Sequence, residues 1–474
     1  MKTSRLALIP LLAAIASAQG PLQPPSVFNP AIGPIAPLTG GGLPQPAMKT
    51  LHQVEPRIPI NATTTPGNAA SLFRITQPGS YYLTENITGV NANHGILIAA
   101  SGVTLDLMGY SLRGVAGSGS GIYGQDGTRN IAIKNGIVTN WAGDGIGLAL
   151  PGSNIVVENL LVEGSSGRGI VVPATSIVRN CQVRTSVQGG ILTSLSCVVT
   201  GCTLELNSAF GISSFGLISD CVALNNSAVG INCMEGIVRN CKVTQITGTA
   251  FAGGTGSVSF EACHASCIGV AASFGFSLSG NGSRVSDSST FNFNTGITTL
   301  VETISSLVIS NCIITKSILT GMSLISTDST ATGGHQVIGC TVDGVSSGPG
   351  ILLDSKGLMR DCLVRSTSSD GLRVRSNSRI LNNVFISNGG STEDGSIFLG
   401  NPVSNVLISG NSIHNAVGWG ILGSSSTRVT VTGNTFFQSA GGNNISLAGS
   451  NIIGPVVTSA NIGTTTNPWA NFSQ

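Results

Sequence analysis

The chain has 474 residues, enough by length alone for about three ordinary domains. Its composition argues for something more regular: 64 residues are Gly, 9 % are charged and 5 % are aromatic, where an ordinary globular domain carries about 25 % charged residues. A net charge of +2 gives no electrostatic case for nucleic acid or an anionic membrane as a partner.

Residues 1–18 have the layout of a secretory signal peptide. Lys2 and Arg5 form a basic region, Leu6 to Ile15 a short apolar one, and Ala16-Ser17-Ala18 a small-residue cleavage site. That apolar stretch is too short to span a bilayer, and no membrane span is expected elsewhere. The expected location is secreted, extracellular or periplasmic. Residues 19–47 are rich in Pro and Gly and read as an extended linker. Residues 48–74 are expected to lead into the ordered part and cap it.

From about Phe73 short β-prone runs alternate with Gly, Asn and Ser, and no long helical period is present. A Gly-aliphatic pair recurs: Gly95-Ile96, Gly121-Ile122, Gly145-Ile146, Gly169-Ile170, Gly190-Ile191, Gly211-Ile212, Gly230-Ile231, and later Gly296-Ile297, Gly321-Met322, Gly350-Ile351, Gly371-Leu372 and Gly420-Ile421. The step is about 19 to 29 residues, within the range of solenoid repeats. Before each pair comes a polar residue, then Cys or Asn, then an apolar residue two further on, as in Asn180-Cys181-Gln182-Val183 and Asn382-Asn383-Val384-Phe385. From this landmark to the next Gly the interval is almost always nine residues, as from Cys181 to Gly190 or Asn411 to Gly420. Length variation falls on the other side. One bend must keep register with its neighbours while the other tolerates loops. The pattern predicts an all-β, right-handed parallel β-helix of roughly 15 rungs over residues 75–455, with 456–474 as a C-terminal tail. At about 4.8 Å per rung the rod is roughly 70 Å long. The stretch from Cys263 to Ser288 is too degenerate to assign to a rung.

The chain has 11 Cys. Cys181, Cys202, Cys221, Cys241, Cys263, Cys312, Cys340 and Cys362 share one repeat position. Parallel Cβ vectors in a vertical stack are poor disulfide geometry, so buried reduced thiols are expected rather than bridges. Cys197, Cys233 and Cys267 lie off that stack and are the odd thiols. No Cys-x-x-Cys pair points to structural zinc.

The ladder and the Gly-aliphatic strands resemble the pectin-lyase-like superfamily of right-handed parallel β-helices across about residues 75–455. More narrowly, the chain is similar to secreted bacterial β-helix repeat proteins of unassigned function. Met48 to Ile60, then Gln77-Pro78-Gly79-Ser80-Tyr81-Tyr82-Leu83 and Val103-Thr104-Leu105-Asp106-Leu107, carry that likeness. These blocks are structural. The superfamily includes lyases, glycosidases, epimerases, tailspikes and adhesins, so the resemblance implies a fold and leaves the chemistry open. The polygalacturonase motifs, the pectate-lyase Arg-x-Pro-x-x-Arg and the epimerase Asp-Pro-His-Asp are absent from the sequence.

Sugar chemistry needs paired carboxylates, or a base with an Arg or metal to neutralise a uronate. Charge concentrates between residues 354 and 394. Asp370 precedes Gly371, Asp394 precedes Gly395, and Trp419 precedes Gly420. This places Asp370 and Asp394 one strand spacing apart as candidate catalytic residues. Arg373 and Arg375 alternate with Leu372 and Val374 and should point outward together. With Trp419 they are the candidate substrate-binding residues. The bland alternative is an ordinary cross-strand charge pair on a solubilising face. Asp144 and Arg168, with Trp141 nearby, form a weaker column read as a surface ion pair. His52, His94, His264, His335 and His414 are scattered and read as surface or turn residues. The loop Ser391 to Gly395 offers few ligands for Ca2+, and no cofactor is expected. Three functions compete: a binding or structural protein that holds polysaccharide or cell-surface glycan, a lyase or glycosidase acting on an acidic polysaccharide, and an export-dependent adhesin or passenger. The first is preferred, because family motifs, charge and aromatics are all scarce.

Overall fold

The computed structural model describes residues 57–148, 151–268, 272–299, 304–325, 333–438, 444–461 and 466–474. The signal-peptide and linker readings, and the first part of the leading segment, lie outside the described residues. Every regular element among the described residues is a β-strand, and they wind into a parallel solenoid of about 16 turns. No helix among them is long and apolar enough to cross a membrane.

Three parallel ladders make up the wall. The first runs from Ser71–Ile75 through Arg168–Val172 and Leu372–Val374 to Ile445–Leu447. The second runs from Ile58–Pro59 and Gly79–Tyr82 through Ile177–Arg179 to Ile452–Ile453. The third runs from Ile87–Thr88 through Gln182–Arg184 to Asn471–Ser473. At the N-terminal end Pro66–Asn68 pairs antiparallel with Ser71–Ile75, a hairpin that covers an edge which would otherwise template another chain.

The Gly-aliphatic signal is the inward register of the first ladder. Ile122, Ile146, Ile170, Ile191, Ile212 and Ile231 stack in pairing register and are fully buried. Each such side chain stabilises the fold by about 1.5–3 kcal/mol. The Gly before it is imposed by crowding. A Cβ at Gly169 would lie 2.1 Å from Val183 Cγ1, and one at Gly321 2.4 Å from Val342 Cγ1. Where the first ladder carries buried Ala250 instead, the third-ladder residue in register with Val243 is Ala265, which leaves the room.

The second landmark is a corner. Asn180, Asn240, Asn311 and Asn382 have φ between 52° and 56°, the left-handed region that Asn tolerates best among residues with a side chain. The residue after each turns inward. Cys181, Cys202, Cys221, Cys241 and Cys263 form one buried stack there. Ser288 occupies the next step, its Oγ accepting the Cys263 amide at 3.0 Å, and Cys312, Cys340 and Cys362 continue. From Asn383 the stack becomes an amide ladder. Asn383 Nδ2 donates to Asn411 Oδ1 (3.0 Å), Asn411 to Asn434 (2.9 Å) and Asn434 to Asn471 (3.0 Å). Buried amides must be satisfied, and this ladder does it with its own members. No disulfide joins any of the 11 thiols, and all are buried. Cys197, Cys233 and Cys267, read as odd thiols, are as enclosed as the rest.

Two boundaries shift. Ser71–Ile75 already belongs to the first ladder. At the other end Asn471–Ser473 pairs with Thr435–Phe437, so residues 456–474 are not a tail outside the helix: the chain leaves after Val457 and returns to close the third ladder. The degenerate stretch also resolves. Phe276 takes the aliphatic position, stacked on Phe251 at 4.8 Å, which is why the Gly-aliphatic signature fades there.

Candidate functional site

The 354–419 cluster sits on the outer face of the first ladder. Its strands are Ile351–Leu353, Leu372–Val374, Gly395–Leu399 and Trp419–Gly423. Pairing register is set by the inward aliphatics Leu372, Ile397 and Ile421. That register corrects one expectation. Asp370 faces Gly395, and Gly395 faces Trp419, so Asp370 and Asp394 are not in one column. The cause is local: this turn places Ser396 where its neighbours have Gly, and the Gly of Asp394-Gly395 sits one residue early.

The two carboxylates still meet, through Arg373 and Ser369. Asp370 is 1 % exposed. Its Oδ1 accepts the Gly395 amide at 2.7 Å, and its Oδ2 accepts Arg373 Nε. Arg373 Nη2 donates to Ser369 Oγ (3.3 Å), which donates to Asp394 Oδ1 (3.3 Å). Asp394 Oδ2 accepts the amides of Gly390 and Ser391, both at 2.8 Å. Burial pushes the Asp370 carboxyl above the usual carboxylate range, against the opposing pull of the Gly395 amide and Arg373. Asp394 pins its own loop with the oxygen that a Ca2+ ion would need. Among the described residues no three His, Cys, Asp or Glu side chains are grouped to hold a metal.

Arg373 and Arg375 both point outward, as their alternation predicts, but they diverge. Arg373 lies over the Phe398 ring, 5.5 Å from its centroid, and Arg375 pairs with buried Asp354 at 3.2 Å. The outward column therefore reads Leu352, Arg373, Phe398, Leu422; half-buried Trp419 lies three residues before Leu422 on its strand, in the column of Asp370 and Gly395. Phe398 and Ser369 were not picked out from the sequence. Phe398 could have been, since it alternates with buried Ile397 and Leu399.

The position of Asp370 is a recurring one. His94 and Asp144 also lie two residues before an inward aliphatic, and each side chain accepts the amide one turn on. His94 Nδ1 takes Ser120 N (2.9 Å), and Asp144 Oδ1 takes Arg168 N (2.7 Å). Asp144 thus binds the main chain of Arg168, which corrects the ion-pair reading. Trp141 is fully buried, its Nε1 donating to Leu112 O at 3.0 Å. His335 is also no surface residue: it is 1 % exposed, and its Nδ1 accepts the Leu307 amide at 3.4 Å. His52 lies outside the described residues.

The sequence model of the right handed beta helix region matches residues 73–228, 120–265 and 274–436. The chain belongs to this family. No curated protein matches it. Among solved structures it is similar to pectate lyase Pel9A, at 15 % identity over 57 % of this chain and 69 % of that one, with a TM-score of 0.32. It is similar to a mannuronic acid specific polysaccharide family 6 lyase from human gut microbiota, at 11 % identity over 76 % and 81 %, TM-score 0.34. It is also similar to the Dettilon tailspike protein, at 14 % identity over 79 % and 62 %, TM-score 0.31. None of these likenesses carries a residue role across to this right-handed β-helix.

Proposed function

We propose that this β-helix is an exported protein that binds polysaccharide or cell-surface glycan on the outer face of its first ladder. The observation that carries the reading is the column Leu352, Arg373, Phe398, Leu422, with Trp419 at the start of the Leu422 strand. A guanidinium plane, a phenyl ring and an indole, spaced by successive strands, offer the flat faces on which sugar rings stack. Export rests on the layout of residues 1–18.

Binding is preferred to catalysis because the carboxylates are committed. Both oxygens of Asp370 and both of Asp394 accept protein hydrogen bonds. One observation favours the alternative of a lyase or glycosidase on an acidic polysaccharide: burial keeps Asp370 inclined to hold its proton, as a general acid requires.

One experiment separates the two. The mature protein is incubated with neutral and uronate-containing polysaccharides while unsaturated products, new reducing ends and bound glycan are followed. Retained glycan without turnover, weakened by Arg373→Ala and Trp419→Ala, is the expected result. Turnover abolished by Asp370→Asn replaces binding with catalysis, and neither binding nor turnover removes both.

A further inference from the structure

The C-terminal turns hold a second site on a different wall. A cavity of about 520 Å³ opens on the outer face of the second ladder, a size that holds a small ligand. Its floor is Leu407, Thr430 and Thr432, and its sides are Ile453, Asn467 and Trp469. Trp469 is 64 % exposed. None of the lining residues is ionisable.

The wall that carries Trp469 is held in place. The Trp469 amide donates to Asn467 Oδ1 at 2.8 Å, and the Ala470 amide to Asn467 O at 3.2 Å. The next two residues, Ala470 and Asn471, are buried, and Asn471 is the last rung of the internal amide ladder. A main chain already fixed at the mouth of a cavity spends little ordering entropy when its indole takes up a ligand.

The chemistry selects the ligand. An indole face takes the C–H face of a pyranose. Opposite it, Thr430, Thr432 and Ser409 present hydroxyls, and Thr432 Oγ1 donates to Ser409 Oγ at 3.3 Å. Hydroxyls both donate and accept, as a sugar rim does. A uronate would find no cation in the lining. We infer that this cavity is a binding site for a neutral pyranose of an oligosaccharide, built from the second ladder and the Trp469 segment. It does not rest on the first-ladder site.

The test is titration of the full chain with neutral gluco-, manno-, galacto- and N-acetylglucosamine trisaccharides and with a uronate trisaccharide, read by calorimetry and indole fluorescence. Saturable binding of at least one neutral series is expected. Trp469→Ala should weaken it roughly tenfold or more, Trp469→Phe much less, and Thr430→Arg should block the floor. Equal melting of the variants and the wild type would show that they fold. The inference is overturned if no neutral series saturates, if Trp469→Ala binds as the wild type does, or if the uronate binds more tightly than every neutral sugar. Loss in Arg373→Ala with retention in Trp469→Ala also overturns it, and would put the sugar on the first-ladder face instead.

Discussion

Asp370 and Gly395 face one another on adjacent turns, and the carboxylate Oδ1 accepts the glycine amide at 2.7 Å. The bond ties the start of one first-ladder strand to the next while Oδ2 holds Arg373. Asp370→Ala leaves a buried amide without an acceptor and should cost about 2 kcal/mol or more. Asp370→Asn keeps an acceptor and should cost less. Urea unfolding of the two variants beside the wild type gives the comparison, and equal losses would mean that the amide bond contributes nothing.

The same carboxyl has a pH signature. Burial raises its pKa in the folded state, so its contribution is fully present below the ordinary carboxylate range and is lost as pH rises through the folded value. The wild type should therefore gain on Asp370→Asn as the pH falls from about 7 to 4. Denaturation midpoints at both values decide it, and a constant difference between the two proteins would contradict the burial argument.

His94 occupies the same repeat position with the opposite sign. Its Nδ1 is an acceptor for the Ser120 amide, so the ring must be neutral there, and burial pushes its pKa below the usual histidine value. Its contribution is present above about pH 6.5 and is lost as pH falls through the lowered folded value. Hydrogen exchange of the Ser120 amide should accelerate with acidification relative to its neighbours, and His94→Asn should flatten that dependence.

Asp370 and His94 also show what could be read in advance. Ile146, Ile170 and Ile191 carry a burial signal strong enough to fix the ladder, because a one-residue slip would turn every one of them outward. Side-chain polarity before the Gly is a weaker signal. An Asp there reads equally as a catalytic group, a surface ion or a cap, and only the neighbouring turn's amide decides. At Asp394 even the register misled, since Ser396 replaces the expected Gly and shifts the pair by one. Asn471 was hidden for another reason: 37 residues separate it from Asn434, far beyond one repeat, so the last rung looked like a tail.

Thiol reactivity follows from the stack. None of the 11 Cys is in a disulfide and all are buried, and burial pushes Cys233 and Cys263 up to about 12. A reagent must reach the sulfur as well as find it ionised, and every thiol is enclosed, so iodoacetamide at neutral pH should leave the native mass almost unchanged. In denaturant without reductant, 11 adducts are expected. Fewer would reveal a bridge.

The two halves of the corner stack should respond differently to truncation. A thiol is a weak hydrogen-bonding group that packs as a small apolar residue, so Cys202→Ala removes volume and should cost about 1–2 kcal/mol. Asn411 is another matter. Its Oδ1 accepts both the Asn383 amide (2.9 Å) and Asn383 Nδ2 (3.0 Å), and its Nδ2 donates to Ile380 O (3.0 Å) and Asn434 Oδ1 (2.9 Å). Asn411→Leu has nearly the same volume but strips buried donors on the turn below and an acceptor on the turn above. It should cost about 2–4 kcal/mol despite conserving packing. Stability that tracks volume rather than hydrogen bonding across these two variants would reverse the account of the ladder.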